Sequence, residues 1–105
     1  MKPSNEITDF LMYWHYVLYE MPHNLQRYYL LVGWKGVREL SIRIDRKESY
    51  LRSMLTSGTK KPPLDIALEM ARQSGGLISV EGLSKPEPVP RRPDIPKALP
   101  LSLAA

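Results

Sequence analysis

A chain of 105 residues, 43% of them apolar, can bury one core built from four or five short helices and little more. It contains no cysteine, which excludes disulfide frameworks, thiolate zinc sites and cysteine nucleophiles together and fits a reducing compartment. The formal net charge of +4 is mild, but from Lys35 to Lys61 eight basic residues stand against three acidic ones, a local excess of +5.

Residues 4–21 read as an amphipathic helix capped by Ser4 or Asn5, with Ile7, Phe10, Leu11, Trp14, Val17, Leu18 and Met21 in one helical stripe. Pro22 ends it, and Tyr13, Tyr16 and Tyr19 flank the stripe. So aromatic a helix is expected either to cover the core or to meet a partner. A second helix is expected at 24–33, capped by Asn24, with Leu25, Tyr28, Tyr29 and Val32 inward and Gly33 and Gly36 as breaks. A third is expected at 37–44 and a fourth at about 48–56, with Leu51, Met54 and Leu55 inward.

After the polar, basic loop 57–61, Pro62-Pro63 starts a fifth helix at 63–74, expected to bury Leu64, Ala67, Leu68 and Ala71 and to stop at Gly75-Gly76. Leu77–Val80 reads as an edge strand or an extended segment on the core. From Ser84 the character changes: six of the ten prolines lie at 86, 88, 90, 93, 96 and 100, so a disordered or polyproline-like tail is expected. Pro90-x-x-Pro93-x-x-Pro96 matches a pattern taken by proline-binding modules, but the pattern is weak and a plain solvated tail is the preferred reading. The expected organisation is all-α: an N-terminal helix at 1–22 packed on the domain, a five-helix bundle whose main body is 23–83, and the tail 84–105.

Helices at 37–44 and 48–56, joined by three or four residues, must cross steeply. That crossing needs a small residue on the first helix, supplied by Ser41, and apolar inner faces, supplied by Leu40, Ile44, Leu51 and Met54. The residue after the first helix is left-handed in such turns. Glycine usually stands there, and here it is Asp45, which tolerates that conformation better than most. The next position, usually apolar, is Arg46.

Residues 37–83 resemble the lambda-repressor-like (Cro-type) helix-turn-helix family. Arg38-Glu-Leu-Ser-Ile-Arg-Ile44 and Ser49-Tyr-Leu-Arg-Ser-Met-Leu55 resemble its two central helices. Lys60–Leu83 resembles the segment downstream of the motif in small regulators of the YdaS antitoxin type. The resemblance covers nearly half the chain and implies that the helix beginning near Lys47 enters the DNA major groove. Base contacts would then come from Lys47, Glu48, Ser49, Arg52 and Ser53: Arg52 or Lys47 suits guanine, Glu48 suits cytosine, and Ser49 suits either. Phosphate contacts would come from Arg38, Tyr50, Thr59, Lys60 and Lys61. Glu48 could equally balance the helix N-terminus, and the lysines could be plain loop residues.

Nothing in the sequence reads as catalytic. His15 and His23 share no helical face, no spacing suits a metal, no serine sits in a nucleophile elbow, and Gly33-x-x-Gly36 lacks the strand a phosphate loop needs. Neither enzymatic activity nor a metal or cofactor is expected. No run approaches a membrane span, the polar N-terminus does not read as a signal peptide, and a bacterial or phage-infected cytoplasm is the expected location.

The leading expectation is a phage- or prophage-type transcriptional regulator that binds double-stranded DNA as a homodimer, paired through the first helix or the Leu77–Val80 run. The alternative is a protein-interaction module or antitoxin on the same scaffold, using the first helix or the Pro-rich tail. RNA binding through Tyr28, Tyr29 and the basic loop is a weaker third, because no single-strand module is recognisable.

Overall fold

In the computed structural model, residues 4–90 are described, and all regular structure among them is helical. The N-terminal caps read at Ser4 and Asn5, and the Pro90–Pro96 motif, fall outside the described side chains or residues. The chain divides into two units, one of them Met21–Val89; the N-terminal helix belongs to the other.

In that N-terminal unit, α1 spans Ser4–His15 and continues as a π-helical turn over Tyr16–Glu20. The single α-helix expected to residue 21 is therefore not formed. The wider π winding brings residues five apart over one another, and His15 Nδ1 lies 3.0 Å from Glu20 Oε2. The change of winding also breaks the stripe, and Leu11 and Leu18 are exposed.

In the second unit α2 spans Leu25–Arg43, α3 Glu48–Ser57, α4 Leu64–Gln73 and α5 Val80–Leu83. Asn24 caps α2: its side-chain oxygen accepts from the Arg27 backbone N–H at 2.8 Å, while its amide donates to the Lys85 carbonyl at 3.1 Å. Two glycines are expected to break this region, and only one does. Gly33 adopts φ 75°, ψ −177°, kinking α2 into a short first segment and a longer second one. Gly36 stays helical and serves by its size, because a Cβ there would collide with the Val32 side chain across the kink.

The core joins Leu25 and Tyr28 of the first segment of α2, Val37, Leu40 and Ile44 of the second, Leu51, Met54 and Leu55 of α3, Ala67 and Met70 of α4, and Ile78 and Leu83. Burial raises the Tyr28 phenol above its ordinary pKa, with Arg43 opposing and Glu39 adding to the shift. Gln26, also buried, donates from its amide to the Met54 carbonyl at 3.2 Å and ties α2 to the end of α3.

The expectations for α4 and the segment after it hold only in part. Leu64 and Leu68 are 66% and 55% exposed; of the four residues expected inward only Ala67 is fully buried, Ala71 is half-buried, and Met70 turns inward beside them. Of the two readings of Leu77–Val80, no strand forms and the segment packs on the core. Ile78 is buried, its N–H donating to Ser74 Oγ, and Ser79 caps α5 by accepting from the Gly82 N–H at 2.9 Å. After α5 the chain runs back over α3: a Cβ on Gly58 would lie 2.9 Å from the Pro88 nitrogen. This first part of the proline-rich segment therefore lies on the helical body, in contrast to a tail solvated from Ser84 onward.

Candidate nucleic-acid interface

The second segment of α2, the turn 44–47 and α3 form the site. Leu40, Ser41, Ile44, Leu51 and Met54, the inner faces read from the sequence, are all buried. Ser41 is small enough for α3 to approach, and its hydroxyl donates back to the Arg38 carbonyl at 2.6 Å, so no polar atom is stranded. Asp45 has φ 56°, the one non-glycine residue with positive φ among those described. It reverses the chain where glycine commonly does, and the Arg46 N–H closes the turn on the Ser41 carbonyl at 2.9 Å. Arg46, at a position where an apolar residue usually packs, is exposed.

Burying Leu51, Met54 and Leu55 forces the opposite side of α3 outward. Lys47, at the N-cap, makes no side-chain capping bond and is exposed, as are Ser49, Arg52 and Thr56; Ser53 is half-buried, and Tyr50 packs partly against the core. Asp45, Arg46, Lys47, Ser49, Tyr50 and Ser53 border a groove of about 520 Å³. Lys60 reaches this flank from the loop after α3, its Nζ donating to Ser53 Oγ at 2.6 Å.

The other flank is a charge relay. Glu48 holds Arg38 Nε at 3.3 Å and Arg52 NH2 at 3.7 Å. The Arg52 guanidinium also lies over the Trp34 ring, 4.7 Å from its centroid, yet its side chain remains 62% exposed. Trp34, Arg52 and Thr56 share a second groove, of about 530 Å³, with Tyr29, Pro88 and Val89.

Of the ten site residues read from the sequence, the fold brings eight together around α3: Arg38, Lys47, Glu48, Ser49, Tyr50, Arg52, Ser53 and Lys60. Thr59 is exposed in the loop beyond the helix, its N–H bonded to Ser57 Oγ at 3.3 Å. Lys61 instead borders the groove between α4 and α5. Three further residues join the site. Thr56 is legible in the sequence, being seven residues from Ser49 and four from Arg52 on one helix. Arg46 reads in the sequence only as a departure from a turn pattern. Trp34 meets Arg52 beyond the kink at Gly33; the break is legible in the sequence, but its direction, which brings the two side chains together, is not.

Among the described residues no group of three or more His, Asp or Glu side chains could hold a metal ion, and no helix is long and apolar enough to cross a membrane.

No family model matches the chain, and neither a curated protein nor a solved structure is significantly similar to it. The assignment of a function therefore rests on the chemistry of the α3 surface.

Proposed function

We propose that the protein is a sequence-specific DNA-binding regulator of the lambda-repressor-like helix-turn-helix type, with α3 as the helix that enters the major groove. The observation that carries this reading is the outward face of α3, where Lys47, Ser49, Arg52, Ser53 and Thr56 present donors and acceptors without a buried apolar obstacle. Arg52 suits the two acceptors of guanine, the serines suit either hydrogen-bonding partner, and Lys47 suits guanine or a phosphate. Arg46, Lys60 and Arg38 border the same face and suit the phosphate backbone; Lys60 braces on Ser53 and Arg38 on Glu48.

Glu48 takes a different part from direct reading of cytosine: it fixes the two arginines that flank it. A single module of this size covers too little DNA for high specificity, so two copies on half-sites about 10 base pairs apart are part of the proposal. Transcriptional regulation in a phage or prophage setting comes from the family resemblance, not from the geometry.

A protein-interaction or antitoxin role is the second reading. The exposed Leu64 and Leu68 are what it would use, because an apolar outer face of α4 can seat another protein chain as well as a second copy of this one.

Selection of bound duplexes from a random library tests the first reading. Enrichment of one motif, repeated with two-fold symmetry at about one helical turn, is the expected result. Recovery of sequences no different from the input library overturns it.

A further inference from the structure

Helix α4 has two apolar stripes and uses only one of them in the core. Ala67 and Met70 face inward, whereas Leu64 and Leu68, one turn apart, stand in solvent. Beside them runs a shallow apolar groove of about 180 Å³ between α4 and α5, bordered by Pro62, Leu64, Ala67, Val80 and Leu83. Two large leucines next to an apolar groove form a surface with both a protrusion and a recess, which is what an isologous contact needs.

The charges on the helix decide what fits. Asp65 lies three residues before Leu68 and Arg72 four residues after it, and at about 100° per residue both fall on the same flank of the leucine stripe. A two-fold axis perpendicular to the helix, passing beside Leu68, reverses the direction of a second α4 but keeps that flank on the same side. Asp65 of each copy then meets Arg72 of the other. The opposite signs pair twice, and a parallel arrangement would lose both pairs. Arg72 also pairs with Glu69 of its own helix, at 2.5 Å, and this hydrogen bond lowers the Glu69 pKa; in the dimer Arg72 would be shared between Glu69 and the second copy's Asp65.

We infer that the Leu64–Leu68 face of α4 is the homodimer surface, with two α4 helices antiparallel across a two-fold axis near Leu68. The first helix is not needed for it, and of the Leu77–Val80 run only Val80 borders the groove. Ile78 lies in the core, and Leu77 and Val80 pack against it. Dimer formation belongs to the DNA-binding proposal, but this surface is measured without DNA, so the two can fail separately.

The test is sedimentation equilibrium of the full chain, free of DNA. The wild type is expected to form a dimer. Leu68→Glu should weaken it by about 30-fold or more, the effect of losing a central apolar anchor, while its thermal unfolding stays close to wild type because Leu68 is exposed. Asp65→Arg alone should also weaken the dimer, and Asp65→Arg combined with Arg72→Asp should restore it. A wild type that stays monomeric at millimolar concentration, a Leu68→Glu chain that dimerises as the wild type does, or a charge reversal that fails to restore pairing would each overturn the proposal.

Discussion

Gly82→Ala is expected to destabilise the domain by about 2–3 kcal/mol, at the upper end for a single added methyl group. A Cβ at this position would fall inside van der Waals contact with the His23 carbonyl oxygen and carbon, and 2.8 Å from its nitrogen. All three are backbone atoms, so no rotamer change relieves the clash. The 22–24 turn would have to move away from α5. That movement strains three bonds at once: Ser79 N–H to the His23 carbonyl at 3.0 Å, the Asn24 cap on Arg27, and the Asn24 amide on Lys85. The start of α2, and with it the placement of Tyr28 and Gln26 against α3, depends on this corner.

Urea unfolding checks the expectation, with Glu81→Ala as the neighbouring control. Glu81 is exposed and makes a surface ion pair with Lys85 at 3.3 Å, so its loss should stay within about 1 kcal/mol. Equal unfolding midpoints for Gly82→Ala and Glu81→Ala would show that α5 does not pack closely on the turn.

The second large effect concerns recognition. Arg52→Ala is expected to reduce affinity for the selected duplex by about 10- to 100-fold and to relax the preference at one base position. Binding to random duplex should change far less. The reason for separating these effects is the position of Arg52. Trp34 beneath it and Glu48 beside it restrict a long side chain before DNA arrives, so little ordering cost remains to oppose the contact. Measurement of both affinities by fluorescence anisotropy distinguishes a base reader from a general cation. If Arg52→Ala lowers affinity for selected and random duplexes equally, Arg52 is a phosphate contact.

Much of α3 and its partner helix is legible in the sequence because the pattern there is redundant. Leu51, Met54 and Leu55 repeat at helical spacing, Leu40 and Ile44 repeat on the preceding helix, and Ser41 is the one small residue at the close approach. The left-handed turn at Asp45 is legible from residue chemistry alone, since aspartate is among the few non-glycine residues that accept it.

Other features depend on tertiary context. Gly33 and Gly36 look alike in sequence, yet one kinks the helix and the other only makes room for Val32. In α4, Leu64, Ala67, Leu68 and Ala71 all read as inward, yet the two leucines stand in solvent and Met70 joins Ala67 in the core. The inward choice is set by how α4 meets α2 and α5. The prolines from 86 onward exclude a helix but carry no sign that Pro88 would lie against Gly58.

The affinity of the protein for its selected duplex, measured against salt concentration, tests the DNA-binding proposal most directly. Arg38, Arg46, Lys47 and Lys60 provide about four phosphate-neutralising cations per copy, so the logarithm of affinity should fall against the logarithm of salt with a slope of about −3 to −4 for one copy and about twice that for a dimer. Lys60→Ala should reduce the slope by about one per copy. A flat dependence, or no binding to any duplex at low salt, would contradict the proposal that α3 and its surrounding cations form a DNA-binding surface.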